Sequence, residues 1–203
     1  MSHAPGDLAN EALPPGHRPH VVPWWLGPLL ASPVRRLLEN PERLVASLVG
    51  PGDKVLEVGP GMGFFTVPLA RAVGEHGRVV CVDLQPRMLR GLSRRLEKRG
   101  LAGRVAVRQC GAGSLGVSDL DGGMDLVLAI HVVHEMEKPA VALQEMAKAL
   151  RNGGRLLLVE PAGHCPERVF RAELDWAARA GLARIQDPVH GRRRDQKALF
   201  ERK

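Results

Sequence analysis

The chain alternates between short apolar runs and longer amphipathic segments from residue 53 onward. Runs rich in Val, Leu and Ile predict strands buried on both faces, as in parallel sheets. Helical stretches separate them, with glycines placed where helices end. The predicted strands cover 54–58, 78–83, 104–109, 124–130, 155–160, 182–187 and 196–201, and the predicted helices cover 64–73, 86–99, 138–150 and 166–180.

This order of elements predicts the α/β class, with a doubly wound, Rossmann-like seven-stranded sheet. Ligands of such folds bind beyond the carboxyl ends of the strands. The preceding part of the chain has no such alternation. Ser32-Pro33 and Asn40-Pro41 each place a capping residue before a proline, which predicts short helices over 33–39 and 41–49. We therefore expect an N-terminal helical extension at 1–50 and a ligand-binding domain at 51–203.

Composition fits a soluble globular protein, because 44% of the 203 residues are hydrophobic and 25% are charged. The net charge of +7 is compatible with nucleic acid, but the one tight basic run is Arg192–Arg194 and aromatics make up 3%. These features disfavour a nucleic-acid partner. The most apolar stretch, 21–30, contains two prolines and is too short to span a bilayer. Three cysteines without a Cys-x-x-Cys pair and no secretory signal favour the cytoplasm.

The sharpest motif is a glycine loop that follows the strand at 54–58. Glycines at Gly59, Gly61 and Gly63 are spaced Gly-x-Gly-x-Gly, whereas a dinucleotide fingerprint needs Gly-x-Gly-x-x-Gly. Asp83 ends the next strand, where a carboxylate suits the hydroxyls of a ribose. The loop and this acid predict a site for a nucleoside that carries no pyrophosphate.

These residues resemble the class I S-adenosylmethionine-dependent methyltransferases, in the small-molecule branch that includes ubiquinone-biosynthesis and arsenite methyltransferases. The resemblance covers 53–203 and includes the segments 125–135 and 150–161. It implies S-adenosyl-L-methionine as cofactor and in-line methyl transfer to O, N or S of a small molecule. The cofactor-binding residues that it implies are Glu57, Gly59, Pro60, Gly61, Gly63, Asp83, Leu84, Cys110, Gly111, Ala112 and Ile130. The region of Gly111 departs from the family pattern, because many relatives hold the adenine amino group with Asp there.

Three histidines follow predicted strands and are candidates for work on the acceptor. His131 and His134 are predicted catalytic residues, since an imidazole can take a proton from an O–H, N–H or S–H group near neutral pH. His164 is a predicted substrate contact. The alternative is that these side chains only line the pocket. We expect no metal site, because the histidine spacing is not that of zinc proteases.

The cysteines disfavour arsenite as the acceptor. Cys81 lies within a strand and is expected in the core. Cys110 and Cys165 follow strands that, in the usual order 3-2-1-4-5, lie roughly 19 Å apart. Two thiolates at that distance could not hold one arsenic atom.

The N-terminal section carries exposed-looking aromatics, and Trp24 and Trp25 are predicted substrate contacts that form a lid. His17 and His20 are expected near the same opening. The alternatives for these tryptophans are that they pack into the core, form a dimer contact or touch a membrane surface. The sequence does not determine the oligomeric state. Two other functions stay open, a non-catalytic S-adenosylmethionine-binding regulator and an RNA methyltransferase.

Overall fold

A computed structural model of the chain describes residues 8, 11, 14–17, 21–27, 32, 40–185 and 195–203. The strands form one seven-stranded sheet in the order β3-β2-β1-β4-β5-β7-β6, which confirms the predicted fold class. The strands are β1 Lys54–Val58, β2 Arg78–Asp83, β3 Val105–Gln109, β4 Met124–Ile130, β5 Leu150–Pro161, β6 Leu182–Arg184 and β7 Asp195–Arg202. The α-helices are α1 Pro41–Ala46, α2 Thr66–Ala72, α3 Pro86–Glu97, α4 Pro139–Ala149 and α5 Glu167–Arg179.

The chain forms two compact units, which are described separately. The first contains the described residues of Val22–Cys110, and the second contains those of Met1–Val21, Gly111–Pro188 and Arg194–Lys203. The predicted division into 1–50 and 51–203 stays a prediction.

In the first unit, β1 and β2 pair in parallel, as do β2 and β3. The apolar residues of β1 and β2 are buried, as expected for a parallel sheet with both faces covered. In the edge strand β3, Val105 is buried while Ala106 and Val107 are half-buried. Helix α3 presents one apolar stripe to the interior and mostly arginines elsewhere. Phe64 and Phe65 are buried with their rings edge to face, at a centroid distance of 5.0 Å.

In the second unit, β4 and β5 pair in parallel, and β7 returns antiparallel between β5 and β6. The pairing of β5 with β7 sets Asp195 opposite Pro161, so the start of β7 lies beside the end of β5. Helix α5 buries Val169, Phe170 and Trp176 along one stripe. Its Glu173 lies on that same buried stripe.

The chief difference from the predicted boundaries concerns the junction of α4 and β5. The helix ends at Ala149 and β5 begins at Leu150, whereas we predicted a helix to 150 and a strand from 155. A shift in register after Met124 accommodates the extra residues, and Gly153 there has a φ of 74°. The predicted helix at 33–39, the basic run 192–194 and His20 lie outside the described residues. No helix among the described residues is long and apolar enough to cross a membrane.

Candidate active site

The glycine loop follows β1 in the first unit and is built on three glycines with positive φ. Gly59, Gly61 and Gly63 have φ of 70°, 54° and 85°, a region that L side chains rarely adopt. A Cβ on Gly63 would lie 2.6 Å from Leu92 Cδ1, so a side chain there would displace Leu92. A Cβ on Gly61 would meet no atom within 4 Å. The loop is therefore open above Gly61, where a ligand can approach the backbone.

Asp83 ends β2 and holds the loop. Its Oδ2 accepts a hydrogen bond from Gly61 N at 3.3 Å, and its Oδ1 accepts one from Gln85 N at 2.8 Å. Burial raises the pKa of this carboxyl, while the backbone donors act in the opposite direction. Cys110 N donates to Asp83 O at 3.1 Å, and Leu84 is 38% exposed. Four predicted cofactor-binding residues thus meet at the end of β2.

Glu57 is buried beside the loop. Its Oε2 accepts hydrogen bonds from Thr66 Oγ1 at 2.6 Å and from Cys81 Sγ at 3.4 Å. Burial raises the pKa of Glu57 to about 7, although these two donors oppose the shift. Cys81 is fully buried, as predicted, and burial raises the pKa of its thiol. The hydrogen-bond donors to Glu57 thus come from the first unit, to which Glu57 itself belongs. Its contact with a cofactor stays a prediction.

The segment 22–27 lies against the loop and α3 within the first unit. Gln85 Nε2 donates to Val22 O at 2.8 Å, and the Arg87 guanidinium lies 4.6 Å from the ring centroid of Trp24. A Cβ on Gly27 would lie 2.8 Å from Met62 Cε, so this glycine packs directly on the loop. Trp24 and Trp25 are 41% and 62% exposed. Their rings do not pad the core of this chain.

In the second unit, His134 pairs with the buried Glu160. His134 Nδ1 lies 2.5 Å from Glu160 Oε2. Glu160 Oε1 accepts hydrogen bonds from Val133 N at 2.8 Å and His134 N at 3.3 Å. Burial lowers the pKa of His134, but the hydrogen bond and charge of Glu160 outweigh it, and the net shift is upward. His17 Nε2 donates to His134 O at 2.7 Å, so His17 meets the backbone of a predicted catalytic residue.

His131 follows β4 and is the one non-glycine among the described residues with a positive φ, 57°. Its N donates to Val159 O at 2.7 Å. Its Nε2 lies 3.5 Å from Asp195 Oδ2, and both atoms are buried without a hydrogen-bond partner among the described residues. Backbone outside the common regions is frequently retained at functional sites. We call His131, His134, Glu160 and Asp195 the histidine cluster.

Glu173 adds a second buried acid near Glu160. Neither of its carboxyl oxygens has a hydrogen-bond partner among the described residues. Burial, and then the charge of Glu160, raise the pKa of Glu173 to about 9. Burial also raises the pKa of the Cys165 thiol. Glu173 is therefore neutral near pH 7, and Cys165 is protonated.

The remaining predicted site residues lie in different surroundings. Gly111 N donates to Ser114 O at 3.1 Å in a tight turn, and Ala112 is exposed in that turn. Ile130 is buried at the end of β4, while His164 is exposed after β5. Pro60 lies in the loop, and its carbonyl accepts from Gly63 N at 2.9 Å. The first unit thus holds the predicted cofactor-binding residues from Glu57 to Cys110, and the second holds Gly111, Ala112, Ile130 and the predicted catalytic histidines.

Sequence reasoning missed Thr66, Glu160 and Asp195. An acid inside an apolar run is costly without partners, and this signal applies to Glu160 within β5 as it does to Glu57 within β1. Asp195 has no comparable local signal, because its contact with His131 depends on the return of β7. Thr66 is marked only as the first residue of α2.

A comparison with known families matches residues 56–158, half of the chain, to the family described as the methyltransferase domain. The chain belongs to this family. Membership confirms the resemblance found in the sequence and the fold predicted from it. The family implies S-adenosylmethionine as cofactor, and the open backbone at Gly61 beside the Asp83 carboxylate fits that group.

Curated relatives and solved structures agree with this assignment. The chain is 35% identical over 133 residues to the ubiquinone/menaquinone biosynthesis C-methyltransferase UbiE of Cellvibrio japonicus, with 65% of this chain and 52% of the relative covered. It is 34% identical to the UbiE of Azotobacter vinelandii, covering 54% and 42%. The chain thus spans about half the length of these relatives. A SAM-dependent methyltransferase structure from Aquifex aeolicus has a TM-score of 0.77 at 21% identity, covering 89% of this chain and 98% of that one. At that identity the likeness shows the fold.

Proposed function

We propose that this chain is an S-adenosylmethionine-dependent methyltransferase that acts on a small molecule in the cytoplasm. The observation that carries the proposal is the Asp83 carboxylate bonded to the backbone of an open glycine loop. Family membership supports the same activity and does not favour a non-catalytic regulator or an RNA methyltransferase. The relatives named above are C-methyltransferases, so carbon joins O, N and S among the candidate acceptor atoms.

In this proposal the glycine loop and Asp83 of the first unit bind the cofactor. The backbone of Gly59, Gly61 and Gly63 receives its methionine portion, and Asp83 accepts hydrogen bonds from the ribose hydroxyls. S-adenosylmethionine, when bound, supplies a methyl group already activated on a sulfonium. The protein therefore needs mainly to bind and orient. The other proposed cofactor contacts are Glu57, Pro60, Leu84, Cys110, Gly111, Ala112 and Ile130.

In this proposal the histidine cluster removes a proton from the acceptor. His134 is the general base, since Glu160 stabilises the charged imidazolium that forms when the ring takes a proton. His131 is a second candidate base. Trp24, Trp25 and His164 contact the acceptor, and the exposed indoles exclude water from it.

Replacement of Asp83 tests cofactor binding. Asp83→Ala removes the acceptor for ribose hydroxyls and for Gly61 N, and we expect it to weaken cofactor affinity by about 1.5–3 kcal/mol. Calorimetric titration of S-adenosylmethionine measures the loss. Asp121→Ala removes an exposed carboxylate of the second unit and serves as control. Unchanged affinity in a folded Asp83→Ala variant would refute the assignment.

Replacement of His134 tests the base. His134→Ala should retain cofactor affinity and lose roughly 100-fold or more in turnover. Production of S-adenosylhomocysteine is measured with a panel of phenols, hydroquinones, thiols and amines. Equal losses in cofactor affinity and turnover would make His134 a pocket-wall residue. A gel-shift assay with tRNA at two salt concentrations tests the nucleic-acid alternative.

A further inference from the structure

The hydrogen bonds around Glu160 determine which nitrogen of His134 carries the ring proton. Glu160 is fully buried, and it accepts hydrogen bonds from two backbone N–H groups on one oxygen. Its other oxygen lies 2.5 Å from His134 Nδ1. A carboxylate only accepts hydrogen bonds, so a neutral His134 ring must place its proton on Nδ1 to use this contact.

We propose that Glu160 is the positioning residue of this site and that it reserves Nε2 of His134 as the base. This inference rests on the proposed function, in which His134 takes a proton from the acceptor. With the ring proton on Nδ1, the lone pair of the ring is on Nε2. The acceptor proton moves to Nε2, and the electron pair of its former bond stays on the acceptor atom. The buried Glu160 carboxylate then faces an imidazolium.

The surroundings hold this arrangement in place. His17 donates to the carbonyl of His134, so the residue is gripped at its backbone as well as at its ring. The neighbouring acid Glu173 is neutral near pH 7, because burial and the charge of Glu160 raise its pKa to about 9. Both Glu160 oxygens face donors, two backbone N–H groups on Oε1 and the His134 ring on Oε2. An acceptor without a removable proton, such as a thioether or a tertiary amine, would make no use of this pair.

Glu160→Gln is a near-isosteric variant that should reverse the tautomer. The single amide oxygen can accept from Val133 N and His134 N, which leaves the amide NH₂ facing Nδ1 of the ring. Nδ1 must then accept, and the ring proton moves to Nε2. The opposite amide orientation would set NH₂ against two buried backbone donors, which is the more costly arrangement.

The experiment is nitrogen-15 NMR of the imidazole rings, followed to alkaline pH until His134 is neutral. His134→Gln identifies its signals. The wild-type protein should show the proton on Nδ1, and Glu160→Gln should show it on Nε2. The matched control is Glu145→Gln, which changes an acid bonded to Ser114 and Leu115 and should leave the His134 signals unchanged. A wild-type ring with its proton on Nε2 overturns the proposal even if the variant does not fold.

Turnover provides the second readout. Glu160→Gln should lose roughly 100-fold in kcat, no more than His134→Ala loses, because a ring held in the wrong tautomer cannot act as the base, with cofactor affinity unchanged. Full turnover in this variant would also overturn the proposal. The NMR measurement needs no substrate. It therefore still tests the tautomer of His134 if the wild-type protein binds no cofactor and methylates nothing. That latter result would refute the proposed function instead.

Discussion

Glu173→Gln should change how the stability of the protein depends on pH. Glu173 is fully buried on α5, and its oxygens have no hydrogen-bond partner among the described residues. Burial and the charge of Glu160 raise its pKa from 4.5 to about 9. Glutamine has the shape and the neutrality of the protonated acid, so the variant should fold normally.

The sign follows from the proton count of the two states. Between pH 4.5 and about 9 the folded state holds the Glu173 proton and the unfolded state has lost it. The free energy of unfolding therefore falls as pH rises, by up to about 1.4 kcal/mol per pH unit from this group. Below pH 4.5 both states are protonated, and no such loss occurs. From about pH 6 to about pH 8 the wild-type protein should lose roughly 3 kcal/mol relative to Glu173→Gln.

Urea unfolding at half-unit pH intervals measures this difference. The stability of the variant relative to the wild-type protein should increase steadily with pH. Asp175→Asn, on the exposed side of the same helix, should show no such slope above pH 5. Parallel stability curves for Glu173→Gln and the wild-type protein would show that Glu173 is ionised in the fold, and the reasoning would fail.

Two further predictions concern the first unit. Gly61→Ala and Gly100→Ala both place a Cβ in open space at positive φ, 54° and 66°, so each should cost about 1–2 kcal/mol of stability. Calorimetry should show an at least tenfold loss of S-adenosylmethionine affinity for Gly61→Ala and no loss for Gly100→Ala. Equal affinities of the two variants would disprove that the cofactor binds against the backbone at Gly61. Replacing Trp24 and Trp25 by Ala should leave cofactor affinity intact, speed cofactor exchange in stopped flow and reduce turnover, whereas Ile185→Ala, which removes another exposed apolar side chain, should not. A fully active double variant would rule out the lid.

The strands and the glycine loop could be predicted from the sequence because their signals are local. A continuous apolar run must be buried on both faces, and β1, β2 and β4 have the predicted bounds. The spacing of the three glycines and the acid after β2 likewise need no knowledge of distant residues. These features carried the family resemblance, which the comparison with the methyltransferase domain confirmed.

The partners of the histidines could not be predicted, because they come from other strands. The acid that pairs with His134 is Glu160, 26 positions along the chain, and the two meet only when β4 and β5 pair. Asp195 reaches the same sheet edge through an antiparallel return whose register no short motif specifies. The early start of β5 was missed since Gly153 and Gly154 look like the end of a helix. In the structure they follow Leu150, which already pairs with β4.

The sequence separation of the contacts implies an order of assembly. Thr66 and Glu57 are 9 positions apart, and Gly61 and Asp83 are 22 apart, so a short nascent chain contains every partner of the glycine loop. The His17 contact to His134 spans 117 positions, and Asp195 joins His131 only after β7 has been made. Contacts between distant positions form slowly, because the intervening chain must first be ordered. A refolding protein should therefore regain its proposed nucleoside-binding surface before its proposed proton-transfer groups. For that interval, under this proposal, it would hold a methyl donor that it cannot use.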